Sequence, residues 1–287
     1  MTTKTGLVLE GGALRGLFSA GIMDVLMENA ITFDGIVGVS AGAAFGCNYK
    51  SGQVGRAIRY NKRFAKDKRY CSMESLWRTG DLYNAEFAYR IVPTELDKFD
   101  DQAFESNPME FYVVCTDVET GEPIYQPVMR GGQWAYDWIR ASASMPVVSR
   151  VVELDGYKLL DGGVSDSIPL RFFQRKGYER NLVILTQPEG FEKKPNRLMP
   201  FIRSALKHYP RMVEAMQQRH LMYNDQLEYI RQQVRRGNTM VIYPPRPLPI
   251  GHTSHNPKAM QRVYDIGRET AMQLLDEIKA FLGQGAK

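Results

Sequence analysis

The chain has little that could staple it or anchor it. Its 287 residues include three cysteines, Cys47, Cys71 and Cys115, which are far apart and odd in number. None belongs to a C-x-x-C pair, which argues against a disulfide framework and points to a reducing compartment. No apolar run approaches the roughly 18 residues that a membrane-spanning helix needs, and no leader-like stretch precedes Leu7-Val8-Leu9. A cytoplasmic protein is expected. Histidine is scarce, and His208, His220, His252 and His255 have no metal-ligand spacing, so neither a metal nor a cofactor is expected. Zinc-finger spacing, a basic arm and an aromatic RNA-binding strand are all missing, which excludes the usual nucleic-acid binders. Charge of one sign is not in large excess: 37 basic against 32 acidic residues leave +5, enough to favour an anionic partner such as a lipid surface.

What is present is ordinary globular composition, 44% hydrophobic, without repeats or low-complexity tracts. Residues 5–10 form a short apolar run ending in Gly11-Gly12, and 17–30 carry apolar side chains at helical spacing. A second short run, 35–39, leads through Ser40 into a small-residue helix at 41–50. Strand, helix, strand, helix within fifty residues predicts a parallel sheet wrapped by helices. Later strands are expected at 110–117, 123–128, 150–154, 157–160, 182–186 and 239–243, and helices at 133–142, 169–177, 200–235 and 257–282. The Pro195–Pro200 stretch reads as a linker, dividing 1–195 from a mainly helical C-terminal region, 196–287, that caps it.

Three short motifs carry chemistry. Gly38-Val39-Ser40-Ala41-Gly42 is a G-x-S-x-G between a predicted strand and a predicted helix. A nucleophilic serine needs small neighbours there, because it occupies a sharp strained turn at a helix N-terminus. A tight βα turn that merely requires small residues is the plainer alternative. The loop Glu10-Gly11-Gly12-Ala13-Leu14-Arg15-Gly16 can bring backbone amides to an oxyanion, or equally to a phosphate or dinucleotide. Its glycines do not fit G-x-G-x-x-G, and no G-K-[ST] follows. Asp161-Gly162-Gly163 ends a strand, where the carboxylate can reach across the sheet edge or simply form a turn.

Taken together and in order, these segments resemble the patatin-like phospholipases, whose pattern is G-G-G-x-R-G, then G-x-S-x-G, then D-G-G. Residues 11–16, 38–42 and 161–163 match, Ala141-Ser142 to Pro146 is similar to the segment preceding the aspartate, and the resemblance covers about residues 6–186. It implies a three-layer α/β/α fold with a mainly parallel sheet and hydrolysis of lipid acyl esters, of the phospholipase A or lysophospholipase kind. It also implies a Ser40–Asp161 dyad rather than a triad. Gly11, Gly12 and Ala13 would supply the oxyanion amides, and Arg15 would anchor a phosphate head group or brace the loop. Ala13 departs from the pattern, standing where the family has a third glycine. If that position requires positive φ, alanine costs about 1 kcal/mol or more.

Other features are weighed against plainer roles. The order Ser…Asp…His leaves a histidine triad formally open, but each histidine fits a surface or capping role better. The basic stripe Arg56, Arg59, Arg63 and Lys66 suits either an ordinary solvated helix or an anionic membrane. Methionine and tyrosine recur along 199–230, as core packing or an acyl-binding wall would require. The expected function is a serine lipid-ester hydrolase, cytoplasmic or membrane-peripheral; the alternative is a nucleotide- or lipid-binding module that uses the same loop without hydrolysis.

Overall fold

The structure, a computed structural model, describes residues 3–284. Strand β1 (Thr5–Leu9) leads into α1 (Gly16–Glu28), and β2 (Gly35–Val39) into α2 (Ala41–Lys50). Short helices follow: α3 (Arg56–Phe64), α4 (Met73–Thr79), a wider-wound helix at Phe87–Leu96, and α5 (Asp101–Ser106). Next come β3 (Glu110–Asp117), β4 (Pro123–Pro127), α6 (Gln133–Ser142), the hairpin β5 (Val152–Leu154) and β6 (Tyr157–Asp161), α7 (Leu170–Arg175) and β7 (Arg180–Ile184). The C-terminal part supplies α8 (Met199–Ala205), α9 (Pro210–Arg235), β8 (Thr239–Ile242) and α10 (Pro257–Leu282).

The eight strands form one sheet in which β8, β7, β1, β2 and β3 run parallel. Side-chain alternation along each strand divides the core in two. Leu7, Leu9, Ile36, Phe111 and Leu182 pack with α1, α2, α6 and α10. Val8, Val37, Val39, Val114 and Val183 pack with α7 and α9. The result is a three-layer α/β/α fold with a mainly parallel sheet, as the sequence predicts. Its C-terminal part is woven into the same layers, since β8 pairs with β7 and α10 crosses α1. That crossing is close: a Cβ on Gly21 would stand 2.1 Å from the Tyr264 carbonyl oxygen, and one on Gly267 equally close to that of Phe18.

The pairing around β3 positions the site. Residues 112–114 pair with both β2 and β4, so these two strands lie on opposite edges of β3. Cys115 and Thr116 pair with both β4 and β6, so β6 also lies opposite β4, on the β2 edge. Strand β2 stops at Val39, opposite Val114, and antiparallel β6 stops at Asp161, opposite Cys115. The C-terminal ends of β2 and β6 therefore meet head-on along one edge.

Two expectations need correction. The helix expected over 200–235 is two helices: the first ends at Ala205, and Pro210, which restricts Tyr209 before it to a non-helical conformation, opens the second. The basic stripe on α3 is exposed at Arg59, Arg63 and Lys66, but its three arginines are tied to the chain itself. Arg56 is buried and donates to the Asp97 carbonyl and to Asn48, Arg59 grips the Asp97 carboxylate through two 2.8 Å bonds, and Arg63 donates to the Leu96 carbonyl. Among the described residues no helix is long and apolar enough to cross a membrane.

Candidate active site

Ser40 terminates β2 and caps α2 with φ 56°, in the left-handed region that L-residues avoid. Such a turn lifts the side chain out of the sheet edge, as a nucleophile requires. Its surroundings hold it there. The Ser40 amide donates to the Ser142 hydroxyl (2.8 Å), which donates onward to the Val114 carbonyl (2.6 Å). The Ser40 carbonyl accepts from the amides of Ala43 and Ala44, both at 3.0 Å. Gly11 presses against it, since a Cβ there would lie 2.8 Å from the Ser40 Cβ and 2.9 Å from the Val39 carbonyl oxygen.

Asp161 arrives from the opposite direction. Its amide donates to the Ser144 carbonyl and its carboxylate accepts from the Gly163 amide, both at 2.8 Å. The residue is 6% exposed, and this burial raises its pKa above the ordinary carboxylate range. The Ser40 hydroxyl, the Arg219 guanidinium and the Gly163 amide each pull in the opposite direction. Asp166, next along the loop, is held by Tyr125 and Gln226, and Ser165 by Thr116. These residues fix the loop that carries Asp161.

The glycine-rich loop closes a third side. Among the described residues, the amides of Gly11, Gly12 and Ala13 have no acceptor. Ala13 has φ 49°, the strained conformation that a glycine would relieve. Glu10 is buried and fully engaged, accepting from the Thr186 amide (2.5 Å) and hydroxyl (3.1 Å) and from the Tyr223 hydroxyl (2.7 Å). It ties the root of the loop to β7 and α9.

The candidates do not all converge. Arg15 points to the α9 side, with Nη1 2.6 Å from His252 Nε2. Because guanidinium only donates, that imidazole nitrogen accepts. Burial and the neighbouring Arg15, Lys193 and Arg219 lower the His252 pKa, which agrees with a neutral ring. His255 bonds the Ala65 carbonyl and His220 the Gln217 carbonyl. No histidine bonds Ser40 or Asp161 among the described residues. No group of three metal-ligating side chains occurs there either.

Ser40 helps to line a cavity with about 920 Å³ of empty space, open solvent at its mouth included. Leu14, Ala44, Phe45, Tyr89, Val92 and Met145 contribute to its largely apolar wall. The methionines and tyrosines of 199–230 do not line it; Met212 and Tyr223 are core. Sequence reading missed Arg219 and Ser142 as parts of the site. The second lay within the segment leading to Pro146, whereas nothing local marked the first.

A family model described as "Patatin-like phospholipase" matches residues 7–173, and one described as "Domain of unknown function (DUF6363)" matches 209–283. "Uncharacterized protein YjjU" of Escherichia coli is 28% identical over 99% of this chain and 80% of its own length. "Uncharacterized NTE family protein Rv1063c" of Mycobacterium tuberculosis is 27% identical over 68% of this chain, which spans about half (51%) of that relative. "Lysophospholipase nte1" of Aspergillus oryzae is 29% identical over 61% of this chain and 11% of its own length.

Two stability measurements follow from the geometry. Ala13→Gly relieves about 1–2 kcal/mol of left-handed strain and gives back about 0.5–1 kcal/mol in unfolded-chain freedom. A net gain of about 0.5–1 kcal/mol is expected in urea unfolding. Asp161 has a folded pKa above its unfolded one, so its contribution favours folding below the unfolded pKa and is lost as pH rises through the folded value. Asp161→Asn is therefore expected to raise Tm at pH 7, with the gap to wild type narrowing as pH falls toward the ordinary carboxylate range, by differential scanning calorimetry at both pH values.

Proposed function

The chain belongs to the patatin-like phospholipase family, and from that premise we propose that it is a serine acyl-ester hydrolase acting on lipid esters through a Ser40–Asp161 dyad. The observation that carries this reading is the head-on meeting of β2 and β6, with a largely apolar cavity that the serine helps to line. The family match and the lysophospholipase names of relatives support lipid as the substrate class.

In this mechanism Asp161 takes the Ser40 proton as the hydroxyl oxygen attacks the ester carbonyl. The raised pKa of the buried carboxylate makes it a better base than an exposed one. Negative charge on the carbonyl oxygen is met by the amides of Gly11, Gly12 and Ala13. As the tetrahedral intermediate collapses, the proton on Asp161 passes to the departing alcohol, leaving the acyl group on Ser40 with its chain in the cavity. Water then gives a proton to Asp161, attacks the acyl carbon and releases the acid, and Asp161 returns the proton to the serine oxygen.

Residues 1–195 act as the catalytic unit in this reading, and 196–287 are a mainly helical region packed on it. Arg15 serves substrate binding beside the oxyanion loop. A peripheral site of action on anionic membrane fits the exposed side chains. Met73 and Trp77 project one turn apart from α4, where Lys68 and Arg78 pair with Glu74 and Arg69 with Asp67, and Leu198 and Phe201 are exposed at α8. Residues 81 and 82, just after α4, bond residues 148 and 150, and Val147 and Val151 pack in the cluster of Ile202 from α8; these residues follow Met145 of the cavity wall.

Steady-state hydrolysis of a lysophospholipid panel tests the reading. Ser40→Ala and Asp161→Asn are each expected to lower kcat/KM by about 10³-fold or more. An active wild type whose Ser40→Ala variant keeps most of its turnover would place the nucleophile elsewhere.

A further inference from the structure

On the α9 side of the glycine-rich loop, away from the cavity, three cations stand together with one acid among them. Lys193 is held by its backbone, its amide donating to Asn224 Oδ1 (2.8 Å) and its carbonyl accepting from Asn224 Nδ2 (3.0 Å). Its ammonium lies 4.4 Å from the centre of the Tyr223 ring and has no hydrogen-bond acceptor among the described residues. Arg219 donates Nε to the Gly163 carbonyl, and neither of its Nη atoms meets an acceptor there. Arg15 keeps a buried Nε without a partner. The neighbouring acid, Glu10, is already spent on Thr186 and Tyr223.

Such a cluster is unfavourable by itself. Burial lowers the Lys193 pKa to about 8, with Arg219 and Arg15 adding to the effect and Glu10 opposing it. Burial likewise lowers that of Arg15, and Arg219 contributes in the same direction. Half-buried cations without paired acceptors mark a place where a bound anion would supply the missing charge. The cluster also lies next to the reacting groups: the point a Cβ on Gly163 would occupy is 3.0 Å from both Arg219 Nη2 and Asp161 Oδ1. None of the three cations lines the cavity.

We propose that Lys193, Arg219 and Arg15 form a binding subsite for a phosphate group, across Ser40 from the cavity. Unpaired donors on two guanidinium groups and one ammonium suit the oxygens of a phosphate, which offers several acceptors at once. An ester bound with its chain in the cavity would direct a head-group phosphate to this side, and a free phosphate compound would use the same donors. Only the head-group source rests on the hydrolase reading; binding of the phosphate does not.

Isothermal titration calorimetry with glycerol 3-phosphate, and with glycerol as control, tests binding without requiring turnover. Wild type is expected to bind the phosphate and not glycerol. Lys193→Met and Arg219→Gln are each expected to weaken binding about tenfold or more, the effect of losing one charge-assisted contact. Lys193→Met should not lower the Tm of the unliganded protein, because the ammonium it removes has no hydrogen-bond acceptor among the described residues and the methionine keeps the packing on Tyr223. Absence of binding to wild type, or equal binding by wild type and both variants, would overturn the proposal. Kinetics of lysophosphatidate and of monoacylglycerol with the same chain then decide the source. A KM raised only for lysophosphatidate in Lys193→Met assigns the site to the head group; unchanged KM values alongside weakened glycerol 3-phosphate binding assign it to a free phosphate compound. If neither ester is hydrolysed, the catalytic reading fails and the calorimetry still decides the subsite.

Discussion

Strands β2 and β6 share one edge of β3 and run toward each other until they stop at adjacent rungs. Most of what is distinctive in this molecule depends on that collision. Neither strand can continue, so each must turn out of the sheet, one through Ser40 and the other through Asp161. The turn at Ser40 is strained, and strain of this kind persists only where surrounding contacts over-determine it. Here they do: Ser142 bridges the Ser40 amide to the Val114 carbonyl, and Gly11 leaves no room for the turn to relax.

The charges are distributed unevenly about that point. On one side an aromatic and aliphatic cavity opens, with little to stabilise an ion beyond Arg56, which is held by Asp97 and Asn48. On the other side Arg15, Lys193 and Arg219 crowd around a single, fully occupied carboxylate. Asp161 lies between, desolvated enough to favour accepting a proton yet within the field of Arg219. This polarity is what an amphipathic substrate needs, with an apolar chain and a charged end diverging from one reacting bond. The C-terminal region is part of the arrangement, because α9 brings Arg219 and Tyr223 and β8 extends the sheet.

Much of this was legible in the sequence where the signal is local. The strands of the parallel sheet were marked by short apolar runs, and three motifs lay at strand ends, where glycine and small residues have a mechanical reason to be. Ala13 was readable as a departure, and its φ of 49° gives that departure a physical meaning. Long-range contacts were not legible. The spacing of Arg56, Arg59 and Arg63 describes a basic helix face, but Asp97, which absorbs two of them, lies some forty residues away. The helices between 73 and 106 are short, and one is wound too wide to show a 3.6-residue period. Lys193 and Arg219 come from a loop and a helix far from every motif, so only the fold brings them to Arg15. Arg15, in the glycine-rich loop, was the local hint that polar chemistry continues on that side.

The central claim is that the colliding strands make Ser40 a nucleophile that depends on Asp161, and active-site labelling tests it without any choice of substrate. Folded protein would be treated with a fluorophosphonate probe, and the adduct mapped by mass spectrometry in wild type and in Asp161→Asn. The account predicts a single adduct on Ser40, formed much more slowly in the variant. Labelling at another residue, no labelling of folded wild type, or equal rates in both proteins would contradict it.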